Sequence, residues 1–280
     1  MAYGCEQALL ETNPVKRVAT QWLGATHLGD RSRNHYLMRA LRKITLLENA
    51  SVLNAGCANG AHSFYLVERF PNWTITGIEI DREQVARASA IAERKKVRNI
   101  QFQAGDLHEI RFTDLFHLIF CMHVLTYLRD DQEVLRRFYR AMRPGGYLIL
   151  SVPTPPAPSR LPQSIRTILG AARPASETAS GRATPSYGPL NVVQERVGYS
   201  DQEITEKLRK AGLEPISLTH PAGPLWQAAW EIHTALEGKG LLRAVVHPFL
   251  LFLVDFDQWQ EKDAPYPAGR DCVVIAQKPL

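Results

Sequence analysis

From residue 51 to 152 the chain alternates short apolar runs with longer stretches in which apolar residues return every three or four positions. SVLNAG, TITGIEI, NIQFQAGD, HLIFCMH and YLILSV are short, rich in β-branched and aliphatic residues and bounded by Gly, Asp or Pro, which predicts strands. Between them, HSFYLVERF reads as a helix stopped by Pro71, and Asp81 with Gln84 resembles a capping box opening REQVARASAIAERKK. DDQEVLRRFYRAM is a third helix, predicted to end at Pro144, Gly145 and Gly146. Strands that alternate with helices form a mostly parallel α/β sheet covered on both faces, and ligands sit at the carboxyl ends of its strands.

The pattern breaks between Pro153 and Pro189, where eight of the 18 prolines fall among many Ser, Ala, Gly and Thr residues. No core strand can run there, and the connection is far longer than an ordinary loop, so 153–195 reads as a lid or a mobile segment with a short helix at QSIRTILGAA. Regular pattern resumes at Ser200, whose SDQE is a second capping box ahead of EITEKLRKAG and the strand LEPISLT. Two helices follow, through LWQAAWEIHTAL and LLRAVVHPFLLFLVDFDQW, and then a strand, CVVIAQK. The expected organisation is an N-terminal helical cap over 1–45, a ligand-binding domain over 46–220 carrying the proline-rich insertion, a helical insertion over 221–270 and a strand of the sheet over 271–280.

Composition narrows the class. A hydrophobic fraction of 45% and a charged fraction of 22% predict a folded protein with a substantial core. The net charge of +5 makes the surface mildly basic. Its densest basic cluster, Arg136, Arg137, Arg140 and Arg143, alternates with Leu135, Phe138 and Met142, as on the solvated face of an amphipathic helix. The four cysteines are widely separated and form no zinc spacing, so no metal and no disulfide framework is expected, and a reducing cytoplasm fits. MAYGCEQALLE carries no secretory signature. AVVHPFLLFLV is too short for the roughly 20 residues of a membrane span, so it is buried or touches an apolar surface peripherally.

Four motifs carry the chemistry. Asn54 to Gly60, NAGCANG, is a glycine-punctuated turn from strand to helix; a residue such as Ala58 fits its middle position if φ is negative there. Glu79 ends the next strand, 19 residues beyond Gly60, where a carboxylate can accept hydrogen bonds from both hydroxyls of a ribose. AGDL, Ala104 to Leu107, follows the third strand, and FHLIFCMHVLTYL, Phe116 to Leu128, brings an apolar strand to a loop containing His123. Together these motifs resemble the class I S-adenosylmethionine-dependent methyltransferases, in particular the small-molecule group that includes ubiquinone and menaquinone methyltransferases.

The resemblance implies a Rossmann-like, seven-stranded, mostly parallel sheet with an antiparallel last strand and helical cap insertions. It implies S-adenosylmethionine as cofactor, with S-adenosylhomocysteine as product, held by Asn54, Gly56, Cys57, Ala58, Gly60, Glu79, Ile80, Gly105, Asp106, Leu107 and Cys121. Glu79 would take the ribose, Asp106 the adenine amino group and the Leu107 backbone the ring edge. Where the family usually has Asp this chain has His117, read as a structural difference. The loops of amino methyltransferases that act on nucleic-acid bases are missing, so a small-molecule acceptor is expected and no nucleic acid.

His123 is the candidate general base, because it lies where the acceptor meets the sulfonium and an imidazole titrates near neutral pH. Tyr127 and His62 have weaker claims. Trp226 and Trp230, with Phe249, Phe252, Phe256 and Trp259, make the 221–270 insertion aromatic. They form either the cap's own core or an apolar, lipid- or quinone-like acceptor pocket. Arg33, His35 and Tyr36 are placed to reach the cofactor's carboxylate or close over it. Transfer is an in-line displacement that positioning can accelerate without a catalytic dyad, and oxygen is the favoured acceptor atom. Two readings stand beside this one: a repurposed, non-methylating protein of the same fold, and a nicotinamide-dependent oxidoreductase, for which His62 replaces the required third glycine. Nothing in the sequence specifies an oligomeric state.

Overall fold

The computed structural model describes residues 3–24, 27–155, 195–236, 240–259 and 271–280. The helix expected in QSIRTILGAA and the segment 156–194 lie outside them. Seven strands, β1 (Ser51–Ala55), β2 (Thr74–Glu79), β3 (Ile100–Ala104), β4 (Phe116–Met122), β5 (Met142–Pro153), β6 (Glu214–Thr219) and β7 (Asp271–Gln277), form one sheet in the order β3-β2-β1-β4-β5-β7-β6. The first five are parallel, whereas β7 runs antiparallel to both β5 and β6. An antiparallel strand begins where its parallel neighbours end. Asp271, the first residue of β7, is thus paired with Pro153 at the carboxyl edge.

The period-2 pattern divides the core in two. On one face Leu53, Ile119, Leu148, Leu150 and Val274 pack under Val134, Leu135 and Phe138 of α5 (Asp131–Ala141) and Ile204 and Leu208 of α6 (Asp201–Lys210). On the other, Val52, Leu118, Phe120, Ile149 and Ile275 meet α2 (Leu28–Leu41), α3 (Ala61–Arg69) and α4 (Arg82–Lys95). Each fully buried aliphatic or aromatic side chain there contributes about 1.5–3 kcal/mol through the water it sheds. Helix starts follow the predicted caps: Asp81 Oδ1 accepts from Glu83 N and Gln84 N, and Ser200 Oγ from Glu203 N. One boundary differs. Helix α5 stops at Ala141, and Pro144, Gly145 and Gly146 belong to the irregular start of β5, where the register against β4 shifts between Phe116 and Leu118.

Helices α1 (Pro14–Leu23), α7 (Pro224–Ala235) and α8 (Gly240–Trp259) stand outside this sheet sandwich. Leu28 of α2, Trp226 and Ala229 of α7, and Leu250, Leu251 and Val254 of α8 close a third, smaller core. Arg31 fastens α2 to α8 by a bidentate pair with Asp255, both bonds 2.6 Å. The outward face of α8 is bare: Phe249 and Phe252 are each 60% exposed and Trp259 75%. Among the described residues no helix is long and apolar enough to cross a membrane. The chain leaves the sheet at Pro153 and is back at the same edge by Glu195, with Tyr199 N donating to Pro153 O and Glu195 N to Thr126 O, each at 2.9 Å.

Candidate active site

The turn from β1 to α3 is shaped by backbone that reaches the left-handed region at Gly56 (φ 76°), Ala58 (φ 45°) and Gly60 (φ 81°). At Gly56 a side chain is excluded twice, by this φ and because its Cβ would lie 2.2 Å from Val124 Cγ2 on the loop after β4. At Gly60 it would lie 2.6 Å from Phe102 Cζ. The turn is tied to β2 by Gly56 N and Cys57 N, which donate to Ile78 O at 2.8 and 3.0 Å. Ala58 does not have the negative φ expected of it; an L-residue pays about 1–2 kcal/mol for the left-handed conformation, and the Ala58 N–H is held there by Glu79 Oε2 at 2.9 Å. Asn54 is buried, and its Nδ2 donates to Ser63 Oγ on α3 at 3.0 Å.

Glu79 is therefore a brace as well as a strand-end carboxylate, since its Oε1 also accepts from Ile80 N and Asp81 N at 2.9 and 3.2 Å. Beside it, Ile80 leaves 53% of its area bare, an apolar surface next to an acid at the carboxyl edge. Gly105 N donates to Glu79 O, which brings Asp106 and Leu107 alongside. Asp106 is oriented by a residue the sequence reading missed: its Oδ1 accepts from His108 N and lies 2.8 Å from His108 Nδ1. Asp130 N donates to His108 Nε2, so Nδ1 is the protonated nitrogen. Although burial opposes it, these contacts with His108, and the charge of Arg129, hold the Asp106 carboxyl below its ordinary range. An aspartate followed two residues later by a donor is the visible signal, an Asx turn.

The β4 end carries the second half of the site. His123 adopts φ 59°, with its N–H donating to Ser151 O at 2.8 Å, and its Nε2 lies 3.0 Å from Asp271 Oδ1. Burial alone would raise the Asp271 carboxyl, yet the facing His123, with Arg33 and the Tyr36 hydroxyl, brings it below its usual value. Asp271 was not anticipated either; only the antiparallel sense of β7 sets it beside His123. Tyr36, fully buried, has its phenol pushed up by burial and by Asp271. His62 packs edge-on against Phe120 and meets the Tyr3 hydroxyl at 3.2 Å; burial pushes its ring down to about 4, Asp30 opposing and Arg33 reinforcing. Of the three α2 candidates, Arg33 is paired with Asp30 at 2.6 Å and with Tyr36 acts electrostatically on Asp271, while His35 lies 3.4 Å from Asp255 on α8.

Other candidates are placed differently. Cys57 and Cys121 are buried, and Cys121 lies inside the core with its thiol pushed up to about 12 by burial, so the main chain is what those positions present to a ligand. Tyr127 is half-buried on a short 3-10 turn, Leu125–Tyr127. Trp226, 3% exposed, is enclosed in the third core, stacked on Trp230 at 5.5 Å and donating through Nε1 to Ser32 Oγ. His117 accepts from Ser51 N at 3.0 Å and so stitches β1 to β4 at the edge opposite the site.

Comparison with known proteins adds the family. Residues 46–211, more than half of the chain, match a family described as a methyltransferase domain. The chain is 32% identical over 104 residues to trans-aconitate 2-methyltransferase of Deinococcus radiodurans, a match covering 37% of this chain and 38% of that one. It is 26% identical over 172 residues to tRNA U34 carboxymethyltransferase of Helicobacter acinonychis, covering 60% and 63% respectively. These matches span less than two thirds of either relative. A longer one joins it to 27-O-demethylrifamycin SV methyltransferase of Amycolatopsis mediterranei, 26% identical over 237 residues, 81% of this chain and 77% of that one. Among solved structures, the [4+2]-cyclase SpnF superposes with a TM-score of 0.58 at 17% identity, over 88% of this chain and 82% of that one. The order of the sheet, the β1–α3 turn and the family match lead to one assignment: the chain belongs to the class I S-adenosylmethionine-dependent methyltransferases.

Proposed function

We propose that this chain binds S-adenosylmethionine along the carboxyl ends of β1, β2 and β3 and transfers its methyl group to a hydroxyl or amine of a small molecule held at the β4 edge. The observation that carries the reading is the convergence of the Gly56–Gly60 turn, Glu79, bare Ile80 and Asp106 on one stretch of that edge. The parts fit an adenosyl group. A ribose is served by the Glu79 carboxylate, an adenine ring by the apolar face of Ile80, and its amino group by Asp106, which His108 holds ionised. Bound there, the cofactor supplies a methyl group already activated on a sulfonium.

What remains for the protein is to align the acceptor and remove its proton. His123 Nε2 lies 3.0 Å from Asp271 Oδ1 without the alignment of a hydrogen bond; a small turn of the ring that aligns the two puts the proton on Nε2 and leaves Nδ1 with the lone pair that accepts the acceptor's proton. Asp271 is then a positioning residue, fixing the tautomer and stabilising the imidazolium that forms, as in other carboxylate–histidine pairs. Tyr36 and His62, both uncharged at neutral pH, add aromatic surface beside the charged Asp271, which suits an aromatic acceptor, and oxygen is the favoured acceptor atom. The bare aromatic face of α8 supports a peripheral contact with lipid. Co-sedimentation with anionic vesicles, lost on substituting Phe249 and Phe252 by Ser, tests that part alone.

Calorimetric titration with S-adenosylmethionine, S-adenosylhomocysteine and NADH tests the main reading. Both adenosyl ligands are expected to bind with a Kd on the order of micromolar and NADH not at all, and Glu79→Ala is expected to weaken both. Absence of adenosyl binding defeats the proposal. A labelled-methyl screen over phenols, quinones, amines, carboxylic acids and tRNA then identifies the acceptor. Binding without any labelled product would favour a repurposed fold.

A further inference from the structure

On the opposite face of β7 from Val273 and Ile275, three metal-ligand side chains from three elements meet. Asp201 is the first residue of α6, His220 follows β6 and Cys272 is the second residue of β7. One donor atom of each, a carboxylate oxygen, an imidazole nitrogen and a thiol sulfur, lies within 4.8 Å of the other two. We propose that these residues form a binding site for one divalent cation of the zinc class, which clamps α6, β6 and β7 together behind the reaction centre.

The hydrogen-bond inventory of His220 is what singles the cluster out. Its Nδ1 lies 3.3 Å from Asp271 O and its Nε2 3.0 Å from Asp201 Oδ2, and both of these partners are acceptors. A neutral ring has one N–H. If Nδ1 donates to the carbonyl, Nε2 turns a lone pair toward a carboxylate, an arrangement that a cation between the two nitrogen and oxygen atoms satisfies. An imidazole anchored through Nδ1–H to a backbone carbonyl, with Nε2 free to coordinate, is also the usual outer-shell support of a histidine ligand. The donor set of thiolate, imidazole and carboxylate selects zinc over magnesium or calcium, which prefer oxygen alone. His220 and Cys272 are buried, whereas the Asp201 side chain is 53% exposed, so an ion has an entry side and water can complete a tetrahedral shell. On binding, the Cys272 thiol gives its proton to bulk water.

The site is not part of the proposed chemistry but it adjoins it. Asp271 offers its carbonyl to His220 and its carboxylate to His123, so a fixed His220 fixes Asp271. The test uses the whole chain stripped with a chelator and titrated with zinc chloride and, separately, cobalt chloride. Expected are one ion per chain, a rise in melting temperature with zinc, and a thiolate-to-cobalt charge-transfer band in the near ultraviolet. Asp201→Asn, an exposed change that leaves the core intact, is expected to weaken zinc uptake at least tenfold, and Cys272→Ser to abolish the charge-transfer band. Absence of stoichiometric zinc uptake, a cobalt spectrum without thiolate character, or uptake unchanged in Asp201→Asn overturns the proposal, whatever becomes of methyl transfer. A proton-bridged His220–Asp201 ion pair is then the arrangement that remains.

Discussion

Gly56→Ala is the sharpest probe of how the two halves of the site are joined. The substitution places a side chain at φ 76°, which costs about 1–2 kcal/mol by itself. It also sets a Cβ 2.2, 3.0 and 3.1 Å from Val124 Cγ2, Cγ1 and Cβ. Rotating Val124 cannot clear it, since the Val124 Cβ is itself too near; the loop after β4 has to move. Overpacking of this kind typically costs about 1–3 kcal/mol, so the total is about 2–5 kcal/mol, a large part of an ordinary domain's stability. Urea unfolding of the parent, Gly56→Ala, Val124→Ala and the double variant separates the terms. Removing the valine methyls relieves the clash but leaves the backbone penalty, so the double variant is expected to be more stable than the sum of the singles predicts by about 1–3 kcal/mol. Additivity within about 0.5 kcal/mol, or a cost of Gly56→Ala below about 1 kcal/mol, refutes the claim that the turn after β1 and the loop carrying His123 interlock.

Three further outcomes are expected. Asp271→Asn lowers kcat at least tenfold with KM little changed, a share of the 10²–10⁴ that general bases typically supply; an equal rise in KM instead would make Asp271 a binding residue. The His62 ring, pushed down to about 4, stays neutral through pH 5–8, and an NMR titration near its ordinary value would contradict this. Because the unfolded ring takes its proton first, near 6.5, the sign is destabilisation as pH falls from there toward about 4, with a ceiling of about 3 kcal/mol since the ring still meets some solvent. Trp226→Ala empties the third core at a cost of about 3–5 kcal/mol while leaving adenosyl affinity within about twofold; a selective loss of acceptor binding without loss of stability would instead make Trp226 part of the acceptor pocket.

How much of this was legible in the chain follows from the range of the forces involved. The strands, their helices and the caps at Asp81 and Ser200 are written in local periodicity and local hydrogen bonds, and a linear reading finds them. Glu79 and Asp106 are legible because strand ends in a parallel sheet face one edge. The left-handed φ of Ala58 was not, since it goes with a bond that Ala58 N–H donates to Glu79, a residue 21 positions away, and the alanine itself carries no sign of it. The start of β5 at Met142 was hidden by Pro144, Gly145 and Gly146, which locally signal a turn but here fill an irregular strand edge. Asp271 was invisible for a longer-range reason: its partner His123 lies on a different strand, and only the reversed course of β7 brings them together.

That reversed strand also sets an order of assembly. Among the described residues β6 has β7 as its sole neighbour in the sheet, so Glu214–Thr219 join it only through a strand made later. Helices α7 and α8 come next in the chain, and only then do Asp271–Gln277 supply the strand that joins β6 to β5. A ribosome-bound chain that already displays the β1 turn, Glu79 and Asp106 thus still lacks the carboxylate beside His123. On the reading proposed above, the adenosyl-binding edge can form before the carboxylate beside His123 arrives, and until then the edge of β5 has no partner strand.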